Sequence, residues 1–257
     1  MKLTIITPSY NHAQYIEDTI QSVENQKDCD IEHIVIDGGS KDGTIEILKK
    51  YPKVKWVSEK DNGQTHAINK GFAMATGEIL AWLNSDDYYY QDALCLVASY
   101  FKENPDCHFI YGNITFVDEN KKELITFTDA VMGYTELLAN PDVVRQPSCF
   151  WRKQILVDIG CLNEELNLAM DFEFFLRIAK KFKMHYLNVN VSHFRFYVES
   201  KSNKYVSKQL MEIKKIFLAQ SPNGGRYYWS FWRKRKKQEI KTLLRSILKK
   251  FSSISGS

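Results

Sequence analysis

The sequence predicts an α/β fold, a mixed and mostly parallel sheet with helices on both faces. Three observations lead there. The 257 residues are 44% hydrophobic and 13% aromatic, enough to bury a sizeable core and too much for a disordered chain. Short β-rich runs alternate with helical ones through the first hundred residues, the pattern of repeated βα units. Polar clusters follow three of these runs directly, and a parallel sheet binds its ligands at the carboxyl ends of its strands.

In order, Leu3–Thr7 reads as a strand and 11–26 as a helix, with apolar spacing at Ile16, Ile20 and Val23. Ile31–Ile36 is a strand, 44–51 a helix, 54–57 a strand, 64–75 a helix and 78–83 a strand. The second half is less regular. Helices are expected at 91–102, 171–182 and 205–218, and strands at Phe109–Val117 and 184–191. Ser221-Pro222-Asn223-Gly224-Gly225 is the clearest linker signal. One domain over 1–220 with a tail over 221–257 is the expected organisation.

That tail is distinctive. Residues 233–250 hold nine cations against one anion in a chain of formal net charge +4, so the remainder is net acidic. Ile240, Leu243, Leu244, Ile247, Leu248 and Phe251 form one apolar stripe on a helix, behind the aromatic run Tyr227-Tyr228-Trp229-Ser230-Phe231-Trp232. Cations, aromatics and an apolar face describe a helix over 226–251 lying on a membrane surface, in preference to docking on the body or binding nucleic acid. No run approaches the roughly 18 apolar residues of a spanning helix, and no leader is read at the N-terminus, so a cytoplasmic location at the inner face of the membrane is expected. The five scattered cysteines form no CxxC pair and are read as small hydrophobes in a reducing compartment.

Several clusters could carry chemistry. Asn84-Ser85-Asp86-Asp87 follows the apolar run Ile79–Leu83; its carboxylates suit Mg2+ or Mn2+, or else cap the next helix. Asp37-Gly38-Gly39-Ser40 is a strand-to-helix turn whose aspartate could accept a hydrogen bond from a base or ribose, or simply hold the turn. It is neither GxGxxG nor a P-loop. Asp171 opens an aromatic-rich helix as a cap or as a general base. The turn Asp61-Asn62-Gly63-Gln64 leads into a helix whose amides, with Lys70, could meet a diphosphate. Trp151 and Tyr88-Tyr89-Tyr90 could line a sugar or belong to the edge of the core.

In this order the clusters resemble the family 2 glycosyltransferases of the GT-A fold. The matching stretches are Ile5–Asn11, 36–44, 59–64, 67–71, Gly77-Glu78, 83–87 and Met170-Asp171, and the resemblance spans residues 1–202. It implies a nucleotide-sugar donor, a divalent metal and an inverting displacement without a covalent intermediate. Tyr10 and Asp37 would hold the nucleobase with Pro8 and Ser9 beside it. Asn11, Asp61, Gly63, Gln64, Asn69, Asn84 and Ser85 complete the expected nucleotide site. Asp86, with Asp87, would hold Mg2+ or Mn2+, and Asp171 would be the base. Gln146 and Trp151, in a stretch similar to the acceptor side of surface-polysaccharide enzymes, would sit near sugar.

Three positions depart from the family pattern. Asn84 replaces the first carboxylate of Asp-x-Asp, Met170 precedes the base where glutamate is usual, and Tyr197 stands where histidine is common. The expected function is transfer from a UDP-sugar to a glycan or polyprenyl-diphosphate-linked hydroxyl in capsule, O-antigen or exopolysaccharide assembly. A nucleotidyltransferase would carry a Gly-rich basic loop after the first strand, where Pro8-Ser9-Tyr10-Asn11 stands instead. Asn84 and Tyr197 keep open a membrane scaffold with a degenerate site.

Overall fold

The computed structural model describes residues 1–128, 130, 133–141, 143–220, 223–234 and 236. Its first half alternates as the sequence predicts. The elements are β1 (Lys2–Ser9), α1 (Ile16–Glu24), β2 (Asp30–Asp37), α2 (Thr44–Leu48), β3 (Lys55–Ser58), α3 (Gln64–Met74) and β4 (Ile79–Trp82). β1 is buried along nearly its whole length, as a central strand covered on both faces must be. Helix α1 starts at Ile16, later than expected, because Asn11 adopts φ 53° and residues 12–15 turn the chain over the sheet edge first.

The second half continues with β5 (Tyr88–Tyr89), α4 (Ala93–Glu103), β6 (Phe109–Val117), β7 (Glu123–Phe127), α5 (Tyr134–Ala139), β8 (Cys149–Arg152), α6 (Gln154–Ile159), α7 (Met170–Lys181), β9 (Met184–Arg195), α8 (Lys201–Lys204) and α9 (Val206–Gln220). The sheet has nine strands in the order β3-β2-β1-β4-β8-β6-β9-β5, with β7 paired to β6. β3, β2, β1 and β4 are mutually parallel. β8 enters antiparallel to both β4 and β6, while β6 and β9 run parallel. The chain winds outward from β1 through β2 to β3, then crosses back to place β4 on the other side of β1, so the topological switch lies between β1 and β4. Ligands of such sheets bind there.

Two apolar layers sandwich the sheet. Ile6, Ile36, Phe72, Trp82, Phe174 and Phe175 fill one side beneath α3 and α7. Leu3, Ile5, Leu94, Val97, Phe101 and Phe150 fill the other beneath α4. Trp151 belongs to the first layer: it is fully buried, with ring centroids 5.4 Å from both Trp82 and Phe174. This corrects the expectation that it meets sugar, because β8 is an interior strand and points the indole into the core. At the far end of β1, Glu32 accepts hydrogen bonds from Thr4 Oγ1 (2.7 Å) and the Thr76 N–H (2.8 Å) and pairs with Lys55 (2.7 Å). These partners hold its carboxyl at about 2 against the penalty of burial.

One further expectation is corrected. Cys29 and Cys95 form a disulfide with their Cα atoms 5.4 Å apart, tying the chain before β2 to α4. They stand 66 positions apart, so no local pattern announces the pair. Cys107 and Cys149 are free and buried, as expected of small hydrophobes. Residues 224–234 are helical and pack on the body, with Phe231 only 5% exposed and its ring 6.2 Å from Phe217. Gly224 allows this approach, since a Cβ there would lie 1.8 Å from the Phe217 carbonyl oxygen. The aromatic run therefore docks in part, while Trp229 stays 59% exposed. The apolar stripe 240–251 lies outside the described residues. Among the described residues no helix is long and apolar enough to cross a membrane.

Candidate active site

A cleft of about 1020 Å³ opens at the switch between β1 and β4. Pro8, Ser9 and Tyr10 reach it from the end of β1, and Tyr10 is 62% exposed there. Asn84, Ser85 and Asp86 reach it from the end of β4. His12 Nδ1 and Ser85 Oγ, 2.6 Å apart, lock the two loops together. Asp61, Gly63 and Gln64 enter from the turn before α3, Gln146 from the 3-10 turn Gln146–Ser148, and Asp171 from the first turn of α7. The five segments are up to 163 positions apart in sequence; the parallel ends of β1, β3 and β4 bring three of them to one edge, and the turn before β8 and the start of α7 meet them there.

Gly63 is required where it stands. Its φ is +111°, and a Cβ would lie 2.6 Å from Asn167 Oδ1. Asp61 accepts the Gly63 N–H at 2.9 Å and fixes the turn.

Besides Trp151, four residues of the expected nucleotide and metal site stand outside the cleft lining. Asp37 is fully buried, and its carboxylate accepts hydrogen bonds from the N–H of Gly39 (3.0 Å) and Ser40 (2.9 Å) and from the hydroxyls of Ser40 and Ser58. It holds the turn. Asn11 ties the same turn to the β1 loop, accepting the Lys41 N–H at 3.0 Å. Asn69 pins the 162–164 segment, donating to the Leu162 carbonyl (3.0 Å) and accepting the Leu162 N–H (3.1 Å). Asp87 is fully buried; it accepts the Arg195 N–H (3.0 Å) and a hydrogen bond from Asn84 (3.2 Å). Its full burial under Arg195 and Asn84, away from the cleft lining, corrects its reading as a metal ligand, and burial with the neighbouring Asp86 charge raises its carboxyl above the usual range. Lys70, expected near a diphosphate, pairs with Glu59 instead. Tyr88 and Tyr90 sandwich His193, with ring centroids at 4.3 and 3.8 Å.

Asp86 stays at the cleft, and the Tyr197 hydroxyl donates to its Oδ2 at 2.8 Å. Burial and the Asp86 charge raise the Tyr197 phenol, so it remains a donor. Tyr197 thus occupies the space beside Asp86 as a neutral hydrogen-bonding group. Asn84 likewise acts as an amide, accepting from Gln64 Nε2 at 2.8 Å while donating to Asp87.

Asp171 is the second residue of α7, not its N-cap. The segment before the helix is held instead by Glu212 of α9. Its carboxylate accepts the N–H groups of Asn167 (3.2 Å), Leu168 (2.8 Å) and Ala169 (3.0 Å). Sequence reasoning missed Glu212, because its partners lie 43 to 45 positions away. It also assigned no role to Lys201, whose ammonium crosses the cleft to Gln64 Oε1 (2.8 Å) and the Asn167 carbonyl (2.6 Å). The opposite limb is aromatic: Phe116, Phe127 and Phe194 line it, and Arg145 stacks on Phe127 at 3.8 Å.

Among the described residues no group of three or more His, Cys, Asp or Glu side chains could enclose a metal ion. A single accessible carboxylate still fits a hard cation that takes its remaining oxygens from a bound diphosphate and water, the usual habit of Mg2+. Among the carboxylates at the cleft, Asp86 at the end of β4 is placed to serve so.

Residues 4–156 match the family described as Glycosyl transferase family 2. TuaG of Bacillus subtilis, a glycosyltransferase named for teichuronic acid biosynthesis, is 33% identical over 145 residues, covering 54% of this chain and 57% of that protein. Chondroitin synthase of Escherichia coli is 25% identical over 182 residues, 69% of this chain and 26% of that one. The chain thus spans little more than half, or less, of the length of these relatives. Residues 1–349 of S. aureus TarS, solved with UDP-GlcNAc, superpose with a TM-score of 0.68 at 20% identity, over 85% of this chain and 66% of that one. A mannosyltransferase from Pyrobaculum calidifontis, solved with GDP-Man and Mn2+, gives 0.65 at 17% identity, over 89% and 71%. These structures share the GT-A architecture.

Proposed function

We propose that this chain, which belongs to the family 2 glycosyltransferases, transfers a sugar from a nucleotide-sugar donor to a hydroxyl of a glycan or lipid-linked acceptor, with inversion at the anomeric carbon. The carrying observation is that Asp86 and Asp171, 85 positions apart, line one cleft at the β1/β4 switch, with the loops after β1 and before α3 beside them. A UDP-sugar is favoured, supported by the likeness to a protein that binds UDP-GlcNAc. The relatives named for teichuronic acid and chondroitin support surface-polysaccharide assembly, of the capsule, O-antigen or exopolysaccharide kind, as the setting.

Each residue has a role in this reading. Tyr10 stacks on the base, with Pro8 and Ser9 beside it. Asp86 would hold Mg2+ or Mn2+ against the donor diphosphate, where the cation neutralises charge on the leaving group. Asp171 takes the proton from the acceptor hydroxyl as that oxygen attacks the anomeric carbon. The nucleoside diphosphate leaves from the opposite face. Gln146, donating to the Trp82 carbonyl and facing Asn84, fixes the floor beneath the sugar. The aromatic limb with Arg145 receives the acceptor.

Proton NMR of the reaction of an α-linked UDP-sugar tests this. The expected result is UDP release with a β-linked product. An α-linked product, or release of UMP, would overturn it.

The basic tail is proposed to bring the cleft to the membrane. The support is the sequence pattern, in which the cations of 233–250 accompany the apolar stripe 240–251, a combination suited to anionic lipid. Glutamine at Lys236, Lys237, Lys241, Lys249 and Lys250 should release the full chain from phosphatidylglycerol vesicles in sedimentation. Unchanged partitioning would remove the tail from the account.

A further inference from the structure

Charge at the cleft is unfavourable for the donor proposed above. Asp61, Asp86, Asp171 and Glu199 line it, against Arg145, Lys201 and Lys204 as cations. A donor bringing a diphosphate needs positive charge near Asp86, and the first carboxylate that could help hold a metal is replaced by Asn84.

The three cations are not equivalent. Arg145 is stacked on Phe127 in the aromatic limb, and Lys204 lies 5.5 Å from the Tyr205 ring. Lys201 is wired to the β4 loop: its ammonium donates to Gln64 Oε1, and Gln64 Nε2 donates to Asn84 Oδ1, two residues before Asp86. Its other recorded partner, the Asn167 carbonyl, precedes α7 and Asp171. The ammonium therefore stands between the β4 loop and the candidate base. It has three N–H groups, and Gln64 and Asn167 engage two.

We propose that Lys201 is a donor-binding residue of this chain, its ammonium taking an oxygen of the donor diphosphate so that part of the diphosphate affinity persists without metal. The inference rests on the nucleotide-sugar reading and adds a protein cation to it. Several features support the assignment. Gln64, which begins α3, and the α3 amides stand beside the same position, so an oxyanion there meets both an ammonium and a helix N-terminus. Burial lowers the Lys201 pKa from its ordinary 10.5, while Glu212, Asp171 and Asp61 act in the opposite direction and favour the charged form. The ammonium is thus already partly desolvated before the donor arrives, which strengthens a charge-assisted hydrogen bond.

The test separates the diphosphate from the rest of the nucleotide and from the metal. Calorimetry in EDTA compares UDP with UMP, and GDP with GMP, on the full chain and on Lys201→Met and Lys201→Arg. The parent chain is expected to bind its nucleoside diphosphate about tenfold more tightly than the monophosphate, the scale of one charge-assisted hydrogen bond. Lys201→Met is expected to bring that ratio close to one with the monophosphate affinity unchanged, and Lys201→Arg to restore it. Nucleoside diphosphate binding with an equal ratio in parent and Lys201→Met would overturn the role of Lys201 and leave the donor reading standing. Failure of every nucleotide to bind the parent chain, in EDTA and in Mn2+ alike, would overturn both.

Discussion

Tyr197 donates its hydroxyl to Oδ2 of Asp86 at 2.8 Å, and so occupies one oxygen of the carboxylate expected to face the donor. Burial and the Asp86 charge raise the phenol well beyond neutral pH, so the proton stays on Tyr197. A cation at Asp86 competes with this hydrogen bond. Tyr197→Phe should therefore lower the Mn2+ concentration needed for half-maximal UDP binding by about tenfold, since a hydrogen bond to a charged group is worth roughly 1.5–3 kcal/mol. Calorimetry at fixed UDP reads this. An unchanged Mn2+ requirement would show that the pair does not restrain Asp86.

Asp171→Asn removes the proposed base without changing its shape. Transfer should fall by about 10²- to 10⁴-fold, the range for general base catalysis, with the UDP affinity kept within about twofold. Loss of nucleotide binding or of folding would point to a structural role for Asp171.

Glu212 holds three consecutive backbone N–H groups ahead of α7. Glu212→Gln keeps the size but loses the charge that satisfies them. We expect kcat to drop by about tenfold while the KM for donor stays nearly constant, because a displacement on the order of 1 Å is enough to misplace a catalytic group. A matching rise in KM would instead assign Glu212 to donor binding.

Acid lability should come from the sheet, away from the cleft. The carboxyl of Glu32 is held at about 2 against an ordinary 4.5, so its stabilisation is present above pH 4.5 and lost as pH falls towards 2. His33 is buried neutral with its pKa lowered to about 3, so the unfolded chain gains a proton first as pH falls below 6.5. Both act in the same direction. Glu32→Gln should cost on the order of 3 kcal/mol at pH 7, with the gap to the parent closing as pH falls from 4.5 towards 2. Urea titrations across pH 3–7 check the slope.

Much of this architecture is legible in the sequence. Each βα unit of the first half carries a local period, and the polar clusters directly follow their strands, so Pro8–Tyr10 and Asn84–Asp86 are found where the switch-point rule puts them. What escapes is what long-range packing decides. Trp151 reads as readily as a sugar platform as a core residue, because a four-residue strand has no period to show which face it buries. Trp151→Ala should accordingly cost about 3–5 kcal/mol of stability, as truncation of a buried indole does. Asp87 sits beside Asp86 in sequence, yet the strand-end turn sends one carboxylate to the cleft and the other under Arg195. The Cys29–Cys95 pair, the Glu212 clasp and the Lys201 crossing join positions 34 to 137 residues apart, where no spacing rule applies.

The measurement that bears most directly on the account is calorimetric titration of UDP into the full chain with Mn2+, beside Asp86→Asn under the same conditions. Saturable one-to-one binding is predicted for the parent chain, with a loss of about tenfold or more in Asp86→Asn. Equal affinity in the two proteins would contradict the placement of the donor diphosphate at Asp86, and absence of binding in both would contradict a nucleotide-sugar site in this cleft.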